Sequence, residues 1–113
     1  MLLSKGEIVF VVTRRFFEKD LRRSFVGKIQ EVSEVAIRVK GYPFTYTETT
    51  NEFVRTDHQR IQIFSLVDAG VVIRILDEDV DYKNIHYGWK DNQRIITDGK
   101  SFIMDISSFG LNR

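Results

Sequence analysis

Residues 7–13, EIVFVVT, constrain this chain more than any other stretch. Five apolar residues run together, and four of them are β-branched. The run is too short for an ordinary helix and has no polar face. It predicts a β-strand covered on both sides.

The rest of the chain carries the same signal in a different form. Short runs rich in Val, Ile, Phe and Tyr are separated by turn residues at close spacing, the pattern of an all-β domain. Residues 24–32 and 35–42 alternate, with Phe25, Gly27 and Ile29 on one face and Val35, Ile37, Val39 and Gly41 on one face. A one-residue slip would set Ile29 against Arg38, so pairing Ile29 with Ile37 or Val39 calls for a three-residue turn centred on Ser33. Tyr42, Phe44 and Tyr46 then alternate up to turn formers at 48–51, and Phe53 resumes the pattern. Pro43 confines this segment to an edge or a bulge, so a protruding or peripheral hairpin is expected near 42–55. Residues 60–66 and 71–76 alternate on either side of Asp68-Ala69-Gly70 and read as a hairpin. Residues 77–84 are polar and read as a helical turn or loop. The tail reads as a meander over 84–107, with turns at 90–92 and at Asp98-Gly99. The one moderate helix candidate is 14–21.

The length fits one domain, 1–113, with its core in 5–80. The chain has no cysteine, which removes disulfides, thiolate metal sites and cysteine nucleophiles. No apolar run approaches the roughly 20 residues of a membrane span, and the first residues do not read as a signal peptide. A cytoplasmic location is therefore expected. The net charge is +1, unevenly spread: residues 1–40 hold nine Lys/Arg against five Asp/Glu, and residues 61–113 hold six against eight. Such polarity steers an anionic partner, and it equally favours head-to-tail self-association.

The order strand, arginine-rich turn, strand, tight turn, strand, long excursion, strand, turn, strand resembles a small SH3-like barrel, and more narrowly the Sm-like branch. Phe25-Val26-Gly27-Lys28-Ile29 through Val39 is similar to that family's apolar-Gly-x-apolar pattern. Val72-Ile73-Arg74-Ile75 partly matches its apolar-Ile-Arg-Gly step. The resemblance covers about residues 5–80 and implies a barrel. Sm-like proteins bind RNA through an Asp-x-x-Asn turn and the Arg-Gly step. Here Val32-Ser33-Glu34 has no Asn and Arg74 precedes Ile75, so the resemblance does not carry the RNA pocket across.

One segment invites a functional reading. TRRFFEKDLRRSFVG, residues 13–27, interleaves basic and aromatic residues. Arg14, Arg15, Arg22, Arg23 and Lys28 could follow a phosphate backbone, with Phe16 or Phe17 stacked on bases. The same residues also suit a connection that plugs a barrel end with Phe16, Phe17, Leu21 and Phe25 while the arginines are solvated. A hairpin closing on Lys19 would set Arg15 nearly opposite Arg23, a pair that an anion would relieve. Tyr42, Phe44, Tyr46 and Phe53 are candidate interface residues if the hairpin exposes them.

Enzyme signatures are missing. Asp77, Asp79 and Asp81 occupy positions 1, 3 and 5 of a calcium loop, but Tyr82 stands where that loop needs glycine and Gly88 where it needs glutamate. His58 and His86 lie far apart without ligand spacing. The glycines are never clustered, so there is no phosphate loop. No catalytic residue, metal or cofactor is expected. The sequence points to a non-enzymatic binding or assembly module, joined to itself or to a protein partner. An RNA- or DNA-binding domain using residues 14–28 is the alternative, and an enzyme comes last.

Overall fold

The computed structural model describes residues 2–13, 23–47, 49–50, 52–67 and 70–106. The described residues form an all-β protein of two antiparallel sheets. The larger sheet contains β1 (Ile8–Thr13), β2 (Arg23–Val32), β3 (Ala36–Thr47), β4 (Glu52–Arg55), β5 (Arg60–Ser65) and β6 (Val71–Leu76). The smaller contains β7 (His86–Lys90), β8 (Gln93–Thr97) and β9 (Ile103–Asp105).

Strand β1 lies inside the large sheet between β2 and β6, and its five apolar side chains are all buried. Alternation sends them to two different cores. Val9 and Val11 join Phe25, Ile29, Ile37, Val39 and Phe64 in an inner core formed by the large sheet, with Leu3 and Leu66 packed against it. Ile8, Phe10 and Val12 join Val26, Phe44, Phe53 and Leu76 on the other face, which Ile85, Ile96 and Ile106 of the C-terminal region cover. The unbroken apolar run of β1 follows from this arrangement. Both of its faces are interior, so neither has room for a polar residue.

The register of β2 against β3 places Ile29 opposite Val39. The expected odd turn is replaced by an even one, and a single bulge supplies the odd residue. A bulge falls between Ile29 and Glu31, and Val32 then pairs Ile37. Ser33 ties the turn by accepting from the Ala36 N–H at 3.1 Å and the Val35 N–H at 3.3 Å. At the centre of the pair Gly27 faces Gly41. A Cβ on Gly41 would stand 1.9 Å from the Val26 carbonyl oxygen, so the backbones approach too closely for any side chain.

The far edge of β3 is shared. Its first half pairs with β5 and its second half with β4. Residues 56–59 interrupt this partner strand opposite Tyr42 and Pro43, where Pro43 has no N–H to offer the ladder. The Pro43 carbonyl still accepts from Thr56 N–H at 3.1 Å.

Residues 60–76 do not make the expected hairpin. β5 pairs with β3, whereas β6 crosses to the opposite end of the sheet and pairs with β1, Ile8 against Leu76 through Thr13 against Val71. Alternation specified both strands but not their partners. A strand buried on both faces must satisfy both of its hydrogen-bonding edges, and β2 supplies only one of them for β1.

The C-terminal meander is β7-β8-β9. Asp91 and Asn92, with φ of 52° and 65°, form a two-residue turn between Lys90 and Gln93, the primed geometry that suits hairpins. Asp98-Gly99 opens a longer loop, since Thr97 pairs Ile103. The Asp98 carboxylate organises that loop by accepting from Lys100 N–H at 2.9 Å and Phe102 N–H at 3.3 Å. The polar stretch after β6 ends in a short 3-10 turn, Tyr82–Asn84, and drops Val80 into the core as a plug. No helix among the described residues is long and apolar enough to cross a membrane.

Candidate functional site

Three places in the fold bring chemistry together: the mouth of the inner core, the two ends of the large sheet, and the seam between the sheets. The mouth lies where β1 ends and β2 begins. The row Thr13, Arg23, Thr45 runs across three strands and continues the inner-face positions Val11, Phe25 and Pro43. A cavity of about 380 Å³ opens there, lined by these residues with Gln62 and Phe64. Its floor is the edge-to-face pair Phe25 and Phe64, with centroids 5.4 Å apart. Arg23 is exposed and forms no ion pair with a described residue.

The sheet ends at one side on β4 and β5, which share the far edge of β3, and at the other on β6; neither β5 nor β6 has a second strand partner among the described residues. Both carry exposed apolar side chains: Ile61 at 60% and Ile63 at 64% on β5, Val72 at 49% and Ile75 at 46% on β6. Exposed β-branched residues on an open edge are a template for pairing with another chain. The charges around the two edges differ in sign. Arg60 begins β5, and Lys40 and Arg38 sit opposite Ile61 and Ile63. Asp77, Glu78 and Asp79, all exposed, follow β6 directly.

At the seam, Tyr87 of β7 stacks on Phe53 at 4.3 Å and meets Phe44 edge-on at 5.0 Å. Its hydroxyl hydrogen-bonds Ser24 Oγ at 2.5 Å. Burial raises the phenol pKa well above the ordinary tyrosine value, against the opposing effects of Ser24 and the Arg94 charge. Arg94 is 2% exposed, and its guanidinium lies 4.6 Å from the Trp89 ring centre, 5.1 Å from that of Phe53 and 5.8 Å from that of Tyr46. Such cation–π contacts strengthen when water is excluded. Nearby, Asp81 is held below its ordinary pKa by hydrogen bonds from Asn84 and then Lys100. Burial opposes the charge of Asp98, but N–H donors of Lys100, Asp81 and Phe102 outweigh it and lower its pKa.

Arg14, Arg15 and Arg22, with the helix candidate 14–21, lie outside the described residues. Arg23 and Lys28 are both exposed, yet five positions apart on a regular stretch of β2 they project from opposite faces and do not share a surface. Of the aromatics expected as a contact surface, Phe44 at 1% and Phe53 at 7% are core side chains because the C-terminal sheet packs against them. Tyr42 and Tyr46 are half-buried, and Arg55 lies over the Tyr42 ring at 4.8 Å. His58 and His86 are exposed, and His86 Nδ1 is 3.0 Å from the Asn84 carbonyl. No group of three or more His, Asp or Glu among the described residues is placed to hold a metal.

Sequence reasoning missed Arg94 and Ser24. A signal for the first was present in QRIIT: alternation places Arg94 on the same face as Ile96, which is fully buried. Comparison with known proteins found no matching family model, no matching curated protein and no matching solved structure.

Proposed function

We propose that this protein is a non-enzymatic assembly module whose copies join head to tail, the β5 edge of one against the β6 edge of the next. The observation that carries this reading is that, among the described residues, β5 on one side of the large sheet and β6 on the other are open edges, each bearing exposed β-branched residues. The edges match in length, both being six residues. Their charges match as well. Antiparallel pairing of β5 with a neighbour's β6 brings the end of β6, with Asp77, Glu78 and Asp79, beside the start of β5 at Arg60 and Lys40. A contact between two different edges is heterologous and closes into a ring or extends as a filament. On this reading the domain is a small SH3-like or Sm-like barrel, with β3, β2, β1 and β6 side by side and β4 and β5 sharing the far edge of β3.

Light scattering over a range of protein and salt concentrations tests the reading. An oligomer that weakens as salt rises is expected, because the flanking charges are exposed. A protein that stays monomeric at high concentration and low salt would overturn it. Single-stranded RNA titrated at low salt separates the nucleic-acid alternative, for which binding must fall steeply with salt.

A further inference from the structure

The inner core of a β-barrel is ordinarily closed at its ends by apolar side chains. Along the inner face of β1, β2 and β3 the apolar positions Val9, Val11, Phe25, Ile29 and Val39 follow that rule. At the mouth the next inward-facing row changes to Thr13, Arg23 and Thr45, with Gln62 across from it. The cavity of about 380 Å³ beneath this row falls within the size range of small-molecule sites. Its surfaces differ in kind. The floor is the Phe25–Phe64 ring pair, and the rim offers one guanidinium, two hydroxyls and an amide.

We infer that this mouth is a binding pocket for a small planar organic anion, its apolar body seated against the edge-to-face rings of Phe25 and Phe64 and its carboxylate held by Arg23. A guanidinium presents parallel N–H donors that match a carboxylate, and Thr45 adds a hydroxyl at the same rim, while Thr13 donates its own to the Arg23 carbonyl at 3.4 Å. No described carboxylate pairs with Arg23. A neutral molecule of the same shape would fill the floor but leave the guanidinium unmatched. The pocket does not depend on the open edges of β5 and β6, so it stands or falls separately from the assembly reading.

The probes are naphthoate and its neutral counterpart naphthamide, titrated into isotope-labelled full-length protein and followed by NMR. Naphthoate is expected to shift the amides of Val11, Phe25 and Phe64, with affinity weakening as salt rises. Arg23→Gln is expected to weaken it by about tenfold, the loss of one charge-assisted contact, while Thr45→Val gives a smaller loss. Arg23 is exposed, so the variant keeps the fold, which its own spectrum checks. Three results would each overturn the inference: no shifts at the mouth, equal binding of naphthoate and naphthamide, or unchanged affinity in Arg23→Gln.

Discussion

Replacing Gly41 by alanine tests whether the close approach of β2 and β3 holds the large sheet together. The added Cβ would lie 1.9 Å from the Val26 carbonyl oxygen and 2.5 Å from Gly27 Cα, whereas real Cβ contacts essentially never fall below 3.0 Å. The obstacles are backbone atoms, so no side-chain rotation relieves them. The strands must part by about 1 Å, and overpacking of a less rigid kind already costs about 1–3 kcal/mol. Parting them also strains the neighbouring ladder pairs, Val26 with Tyr42 and Lys28 with Lys40. Two weakened hydrogen bonds at about 1 kcal/mol each bring the expected loss to about 4 kcal/mol. That is a large share of the roughly 5–15 kcal/mol that holds a domain folded. At about 4–8 °C per kcal/mol the melting temperature falls by at least about 15 °C. Gly88→Ala is the control: it also lies in a strand, but its nearest obstacle is the flexible Ile95 Cγ1 at 3.9 Å. It is expected to be neutral or to stabilise by a few tenths of a kcal/mol, through a less free unfolded chain. Urea denaturation followed by circular dichroism reads both. If Gly41→Ala is no less stable than Gly88→Ala, the reasoning is wrong.

Other perturbations probe the seam and the loops. Tyr87→Phe leaves the Ser24 hydroxyl buried without its partner and is expected to cost about 1–2 kcal/mol, part of which Ser24→Ala in the same chain restores; a urea double-mutant cycle measures this. Because burial raises the folded pKa of Tyr87, its contribution is intact below the ordinary value of 10.0 and is lost as pH rises past it. Alkaline unfolding is therefore less steep in Tyr87→Phe. Asp98 behaves in the opposite sense: its folded pKa is lowered, so its contribution is present above the ordinary value of 3.8 and is lost as pH falls through the folded one. Asp98→Asn is expected to lower stability at neutral pH and to flatten the acid limb, as read by thermal melts from pH 2 to 7. Asn92→Gly, at a φ of 65°, is expected to hold or slightly raise the melting temperature, since glycine suits the second position of this turn.

Local pattern made much of the fold legible. EIVFVVT announced a strand with two buried faces, and the structure supplies a separate core for each. The Lys90–Asn92 turn followed from residues that tolerate positive φ. Pairing was less accessible, because period-two alternation is a property of one strand and says nothing about its neighbour. Residues 60–66 and 71–76 therefore looked like a hairpin, although the second open edge of β1 draws β6 to the far side of the sheet. Phe44 and Phe53 looked available because the sheet that covers them lies more than thirty residues later in the chain. The mouth was half visible. Arg23 stood out by charge, but Thr13, Thr45 and Gln62 join it only through the register of four strands.

Complementation between blocked edges tests the assembly claim most directly. One variant carries Ile61→Glu and Ile63→Glu on β5, which repel the acidic end of a neighbour's β6. The other carries Val72→Arg and Ile75→Arg on β6, which repel the basic start of a neighbour's β5. Each alone is expected to be monomeric by light scattering. Mixed in equal amounts they are expected to assemble, because every contact then joins either two native edges or a glutamate edge to an arginine edge. A mixture that stays monomeric while the unmodified protein assembles, or an unmodified protein whose assembly neither variant disturbs, would contradict the account.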